Sequence, residues 1–166
     1  MKDKKLLSDI KEYLKCYEDQ VLEDWYELIR HISVSETGEG IETCCDWIQK
    51  KMEEIGIQVT KYSVKPAPVL VGRFGNDPEK KTVLIYAHYD VKPAGERKLW
   101  HSDPFVPTVR DGKVYARGSA DNKSPLMAHL KALEYFIRRK MEVPVNVIFV
   151  FEGDEECGSR GLELSL

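Results

Sequence analysis

The sequence has no apolar run of the roughly 20 residues needed to cross a bilayer. Its opening stretch, MKDKKLLSDIKEYLK, is too polar for a secretory signal. Those two absences leave the membrane out as a partner and make the cytoplasm the expected location. There is no surplus of positive charge either: 25 Lys and Arg face 28 Asp and Glu, for a formal net charge of -3. Nucleic acid is thereby excluded as a partner, because phosphate binding needs a basic face. The four cysteines, Cys16, Cys44, Cys45 and Cys157, form no CxxC pair. That argues against a Cys-based structural zinc site and for reduced thiols. No repeat, low-complexity tract or glycine-rich phosphate loop is present.

What is present suits one compact domain with a real core: 166 residues, 42% of them hydrophobic. Residues 5–31 carry an amphipathic stripe of one or two helices, with Leu6, Ile10, Tyr13, Leu14 and Tyr17 continued by Val21, Leu22, Trp25, Leu28 and Ile29. A second helix is expected over 41–55, with Trp47, Ile48, Met52 and Ile55 inward and Gly56 as its stop. Strands are expected over 57–64, 69–74, 82–87, 113–116 and 145–151, with an irregular stretch over 91–112. A third helix runs from Ser124 and Pro125 to about Arg139. TVLIYA (82–87) is a continuous apolar run, and so are residues 147–151 within VNVIFVF (145–151), the pattern of strands buried on both faces. Interleaved helices and strands of this kind predict an α/β fold, a three-layer sheet covered by helices.

Polar clusters follow three of these strands. AHYD brings His88 and Asp90, SADNK brings Asp121, and GDEE brings Glu155 and Glu156. In open α/β sheets ligands bind at the carboxyl ends of the strands. If the three strands run parallel, the clusters share one crevice, and so many carboxylates repel one another unless a cation joins them. A divalent metal or a metal pair is the simplest such cation. Imidazole with carboxylate suits Zn, and also Mn or Co. A carboxylate can bridge two metals about 3.5–4 Å apart, as in hydrolytic two-metal sites. Asp90 lies two residues after His88, so in extended backbone both side chains leave one face. It is suited to orient a ligating imidazole through the other ring nitrogen. Glu155 and Glu156 are adjacent and point in different directions, so one can ligate while the other acts as general base.

Three motifs carry a family resemblance: HYDVKP, then WHSDPF with PTVRDGKVYARGSADNK, then FEGDEECGSRGLE. Together they resemble the co-catalytic zinc metallopeptidases, which include carnosinase-type dipeptidases, aminoacylase, acetylornithine deacetylase and succinyl-diaminopimelate desuccinylase. DVKPAGERKLWHSDPF looks most like the dipeptidase branch. The resemblance implies that His88 binds one zinc, Asp121 bridges two and Glu156 binds the other. It implies that Asp90 orients His88, that Glu155 is the general base, and that the peptide bond after Asp121 is cis. The reaction implied is hydrolysis of an amide or peptide bond by metal-activated water, with a peptide or N-acyl amino acid as substrate. Ser124 and Cys157 depart from the family's usual residues without touching a ligand position.

Members of this family also carry a further acidic ligand, a last His ligand, a separate lid or dimerisation domain, and further strands of the catalytic sheet. The resemblance covers about residues 20–163 and implies that residues 1–166 are the N-terminal portion of a catalytic domain, with low activity expected of it alone. A sheet short of strands exposes an apolar edge, which favours a homo-oligomer. Two competing readings are a non-catalytic relative acting as an association module and a magnesium-dependent phosphohydrolase. His88 and the missing phosphate loop weigh against the second.

Overall fold

The computed structural model describes residues 2–164. The chain is an α/β fold. The first helix, α1 (Lys2–Arg30), is continuous rather than two. Its stripe ends in Leu28 and Ile29, both fully buried, and Tyr13 meets Tyr135 edge to face at 5.1 Å. The second helix, α2 (Ile41–Glu54), starts after Gly40, whose φ is 70°. A Cβ there would lie 2.0 Å from the Ile32 carbonyl oxygen, so only glycine fits. Cys44, Cys45, Ile48 and Met52 form its buried face, while Trp47 and Ile55 are partly buried at its margin. All four cysteines are free thiols.

The main sheet holds β1 (Gln58–Tyr62), β2 (Val69–Phe74), β3 (Thr82–His88) and β6 (Asn146–Glu152), in the order β1-β2-β6-β3. β1 to β2 and β2 to β6 are antiparallel, whereas β3 and β6 are parallel. The helix α3 (Lys123–Arg138) connects the parallel pair. Phe149, Phe151, Leu70 and Ala87 point to one face and meet α2 and α3 there. The opposite face carries a smaller cluster of Val69, Val71 and Val150, covered by Val64 and Leu162.

Two expectations are corrected. TVLIYA is the edge of the sheet, not a strand buried on both faces: Leu84 is 63% exposed, and Val83 and Tyr86 are exposed as well. Apolar content alone does not distinguish an edge strand from a central one, and the helices described here cover a single face. The run 113–116 does not join the main sheet. As β5 (Lys113–Tyr115) it pairs antiparallel with β4 (Thr108–Arg110), a strand inside the stretch expected to be irregular.

Candidate metal centre

The parallel register sets His88 opposite Glu152, the last residues of β3 and β6. Both following segments, 89–92 and 153–160, therefore leave the sheet at the same end. Tyr89 N–H donates to the Glu152 carbonyl at 2.8 Å, and the Tyr89 ring packs against Gly153. A Cβ at 153 would come within 2.6 Å of that ring, so the glycine permits the two segments to lie together. Asp121 arrives by a different route from the one expected, in the loop between β5 and α3. The Asp121–Asn122 peptide bond is cis.

His88 is the meeting point. Its Nδ1 donates to the Asp90 backbone carbonyl at 3.2 Å and lies 3.3 Å from the Asp90 carboxylate. Its Nε2 is 3.1 Å from Asp121 Oδ1 and 3.7 Å from Glu155 Oε2. Burial pushes the imidazole pKa down. The Asp90 hydrogen bond and the charges of Asp90, Glu155 and Asp121 outweigh it and carry the pKa up to about 9. Asp90, fully buried, accepts the N–H groups of Glu155 at 3.2 Å and Glu156 at 3.1 Å. Burial alone would raise its pKa; the His88 and Ser35 hydrogen bonds, the Glu156 N–H and the His88 charge hold it below the usual carboxylate range. Asp90 thus stays ionised while fixing both the imidazole and the turn that carries the paired glutamates.

Four of the five sequence-predicted residues are brought together: His88, Asp90, Asp121 and Glu155. Glu156 shares the turn, but its carboxylate faces Lys92, with Nζ at 3.5 Å from Oε2, and Lys92 also donates to the Glu156 carbonyl. Among the described residues no three His, Cys, Asp or Glu side chains are gathered as ligands of one ion. The donor chemistry nonetheless fits a divalent cation: one imidazole, oriented from behind by a buried carboxylate, faces two further carboxylates. The raised imidazole pKa records the same excess of negative charge.

Three charged residues within the motifs had no role assigned from the sequence. Glu152 and Asp154, two of the acids at the end of β6, are buried. Asp154 is held by Arg160 through its backbone N–H and guanidinium. Glu152 accepts hydroxyls from Tyr86 and Ser159. Lys123 is buried and donates to the carbonyls of Leu28 and His31 at the end of α1. Burial pushes its pKa down. The signal was the charge itself, set against apolar neighbours on the strand or at the start of the helix.

Solved structures share this fold. Human carnosine dipeptidase 1 superposes with a TM-score of 0.90 at 31% identity, over 96% of this chain and 37% of that one. An M20 family metallo-carboxypeptidase of Sulfolobus solfataricus gives 0.82 at 35% identity, over 87% and 33%. The fold is thus that of a metallopeptidase catalytic domain. Residues 84–165 match peptidase family M20/M25/M40, and the chain belongs to that family. The Cys-Gly metallodipeptidase of Schizosaccharomyces pombe is 44% identical over 117 residues, 68% of this chain and 25% of that protein. The chain therefore spans about a quarter of that relative's length.

Proposed function

We propose that this chain carries the first part of the catalytic centre of a metal-dependent hydrolase of amide or peptide bonds, with dipeptides as the substrate class. The observation that carries this reading is the placement of His88 between Asp90 on one ring nitrogen and Asp121 and Glu155 on the other. The names of the relatives, Cys-Gly and carnosine dipeptidases, support the substrate class.

His88 and Asp121 would hold one divalent ion, and Asp121 and Glu156 a second. Zinc is the metal best suited to the donor set, with manganese or cobalt as substitutes. When bound, such a pair polarises the scissile carbonyl and lowers the pKa of water. Asp90 keeps Nε2 of His88 aimed at the site. Glu155 accepts the proton of the attacking water and returns it to the leaving amine. Glu156 must leave Lys92 to ligate, and its half-buried position on the turn allows that with a side-chain rotation.

A second reading, a non-catalytic association module, is favoured by the Lys92–Glu156 pair and the open β3 edge. Metal counting separates the two. The purified chain is loaded with zinc, dialysed and analysed for metal, then assayed on dipeptides and on a phosphate ester. Zinc retention lost on His88→Ala supports the hydrolase reading, and dipeptide turnover completes it. A chain that retains no zinc supports the association module.

A further inference from the structure

We propose that Glu152 is a positioning residue for this centre, acting through Ser159 and Tyr86 rather than by touching a metal. The inference rests on the hydrolase reading above. The Glu152 carboxylate is 1% exposed, and one of its oxygens, Oε1, accepts both the Tyr86 hydroxyl at 2.6 Å and the Ser159 hydroxyl at 2.7 Å. No Lys, Arg or His forms an ion pair with it among the described residues. A buried carboxylate facing only neutral hydroxyls is expensive to keep. Filling space at the end of β6 would be done better by an amide or an apolar side chain.

The placement of its two donors gives the carboxylate a role. Tyr86 lies on β3, two residues before His88. Ser159 closes the turn that carries Glu155 and Glu156: its N–H donates to the Asp154 carbonyl at 2.8 Å, and Gly158 N–H to that of Glu155 at 2.9 Å. One oxygen therefore joins the strand of the imidazole to the turn of the glutamates. Ser159 sits at φ 55°, a left-handed conformation that a serine holds only with help from its contacts. Asp90 fixes the near side of this turn through the amides of residues 155 and 156. Without Glu152 the far side loses its tie to β3 and keeps the bonds to Asp154 and Glu155 within the turn. Both glutamates would then sit on a looser turn while every donor atom of the site remained.

The test uses cobalt(II) alone as probe, on the whole chain, and needs no turnover. Glu152→Gln and Ser159→Ala are compared with the parent by visible titration and by amide hydrogen exchange. Each variant is expected to bind cobalt about 10–100-fold more weakly, the range for residues that support metal ligands. At saturation its visible spectrum should differ from the parent's, which a mere loss of stability would not cause. Exchange should quicken at residues 155–158, and the double variant should be no worse than Glu152→Gln. Parent-like affinity and spectrum in both variants overturn the inference and leave the hydrolase reading standing. A parent that takes up no cobalt overturns both. If Glu152→Gln fails to fold, Ser159→Ala decides, because it removes one hydroxyl from a partly exposed turn.

Discussion

His88 Nε2 and Asp121 Oδ1 lie 3.1 Å apart although 33 positions separate them in the chain. Different elements deliver them: β3 ends in His88, and the loop entering α3 presents Asp121. The two also differ in surroundings. His88 is buried, whereas the Asp121 side chain is 75% exposed. A group this exposed contributes little to the fold, so its position beside the imidazole points to function.

That contrast yields the first prediction. Asp121→Ala should change unfolding free energy by no more than about 0.5 kcal/mol, as for an ordinary surface substitution. It should nevertheless weaken cobalt or zinc binding by at least about tenfold if Asp121 ligates as proposed. Denaturant titration beside metal titration checks both halves. A large stability loss with unchanged metal affinity would make Asp121 a structural residue.

The paired glutamates should behave differently from one another. In a chain that hydrolyses dipeptides, Glu155→Gln should retain the metals and lose on the order of 10²–10⁴ in rate, the range for a general base. Glu156→Ala should lose metal affinity instead. Lys92→Ala, which frees the Glu156 carboxylate, should if anything tighten metal binding. Metal content and kcat, measured on the same preparations, separate these outcomes. Metal lost in Glu155→Gln and kept in Glu156→Ala would invert the two roles.

Much of this site was legible because periodicity and strand-end chemistry are local. α2, β2 and β6 fall within a residue or two of their expected bounds. His88, Asp90 and Glu155 needed only a parallel β3–β6 pair, which the structure supplies. What was not legible depends on neighbours. Nothing in TVLIYA says that one flank of β3 has no partner strand. Nothing in KVYARG says that β5 belongs to a hairpin outside the sheet, so Asp121 does not follow a main-sheet strand as expected, although it reaches His88. The division among the acids after β6 is a matter of alternation and partners. Glu152 and Asp154 turn inward to hydroxyls and to Arg160, Glu155 turns towards His88, and Glu156 turns to Lys92.

A third prediction concerns the helical layer. Asp24 of α1 is buried and receives Lys51 of α2, at 3.0 Å, and Lys131 of α3. Burial would raise its pKa, but the hydrogen bonds and charges of Lys131 and Lys51 outweigh this and hold it below the ordinary carboxylate value. A depressed carboxylate pKa adds stability above the unfolded value near 3.8 and loses it as pH falls through the lower folded value. Asp24→Asn leaves two lysines without their shared partner. It should cost about 2–3 kcal/mol, below the 3–5 of a fully buried pair because Lys51 keeps some exposure. It should also flatten the dependence of stability on pH below 4. Urea melts of both proteins between neutral pH and pH 3 measure the two effects together.

The last prediction concerns the open side of the sheet. β3 has a partner strand on one flank, β6, and none on the other among the described residues. Its outward N–H and C=O groups are free to pair, and Val83, Leu84 and Tyr86 lie exposed beside them. Natural edge strands are protected by proline, a bulge or an inward charge. Residues 82–87 contain no proline and no charged residue. The chain of these 166 residues is therefore expected to self-associate, with β3 of one copy beside β3 of another. An antiparallel pair centred on Ile85 would set Leu84 of each copy opposite Tyr86 of the other, so the contact is self-complementary. Leu84→Lys places a charge in the middle of that contact while leaving the covered face untouched. Sedimentation equilibrium should show an associating parent and a variant of near-monomeric mass, both with the same far-UV circular dichroism. A parent that stays monomeric at high concentration would show that this edge is protected by other means. A Leu84→Lys variant that still associates would place the contact elsewhere on the chain.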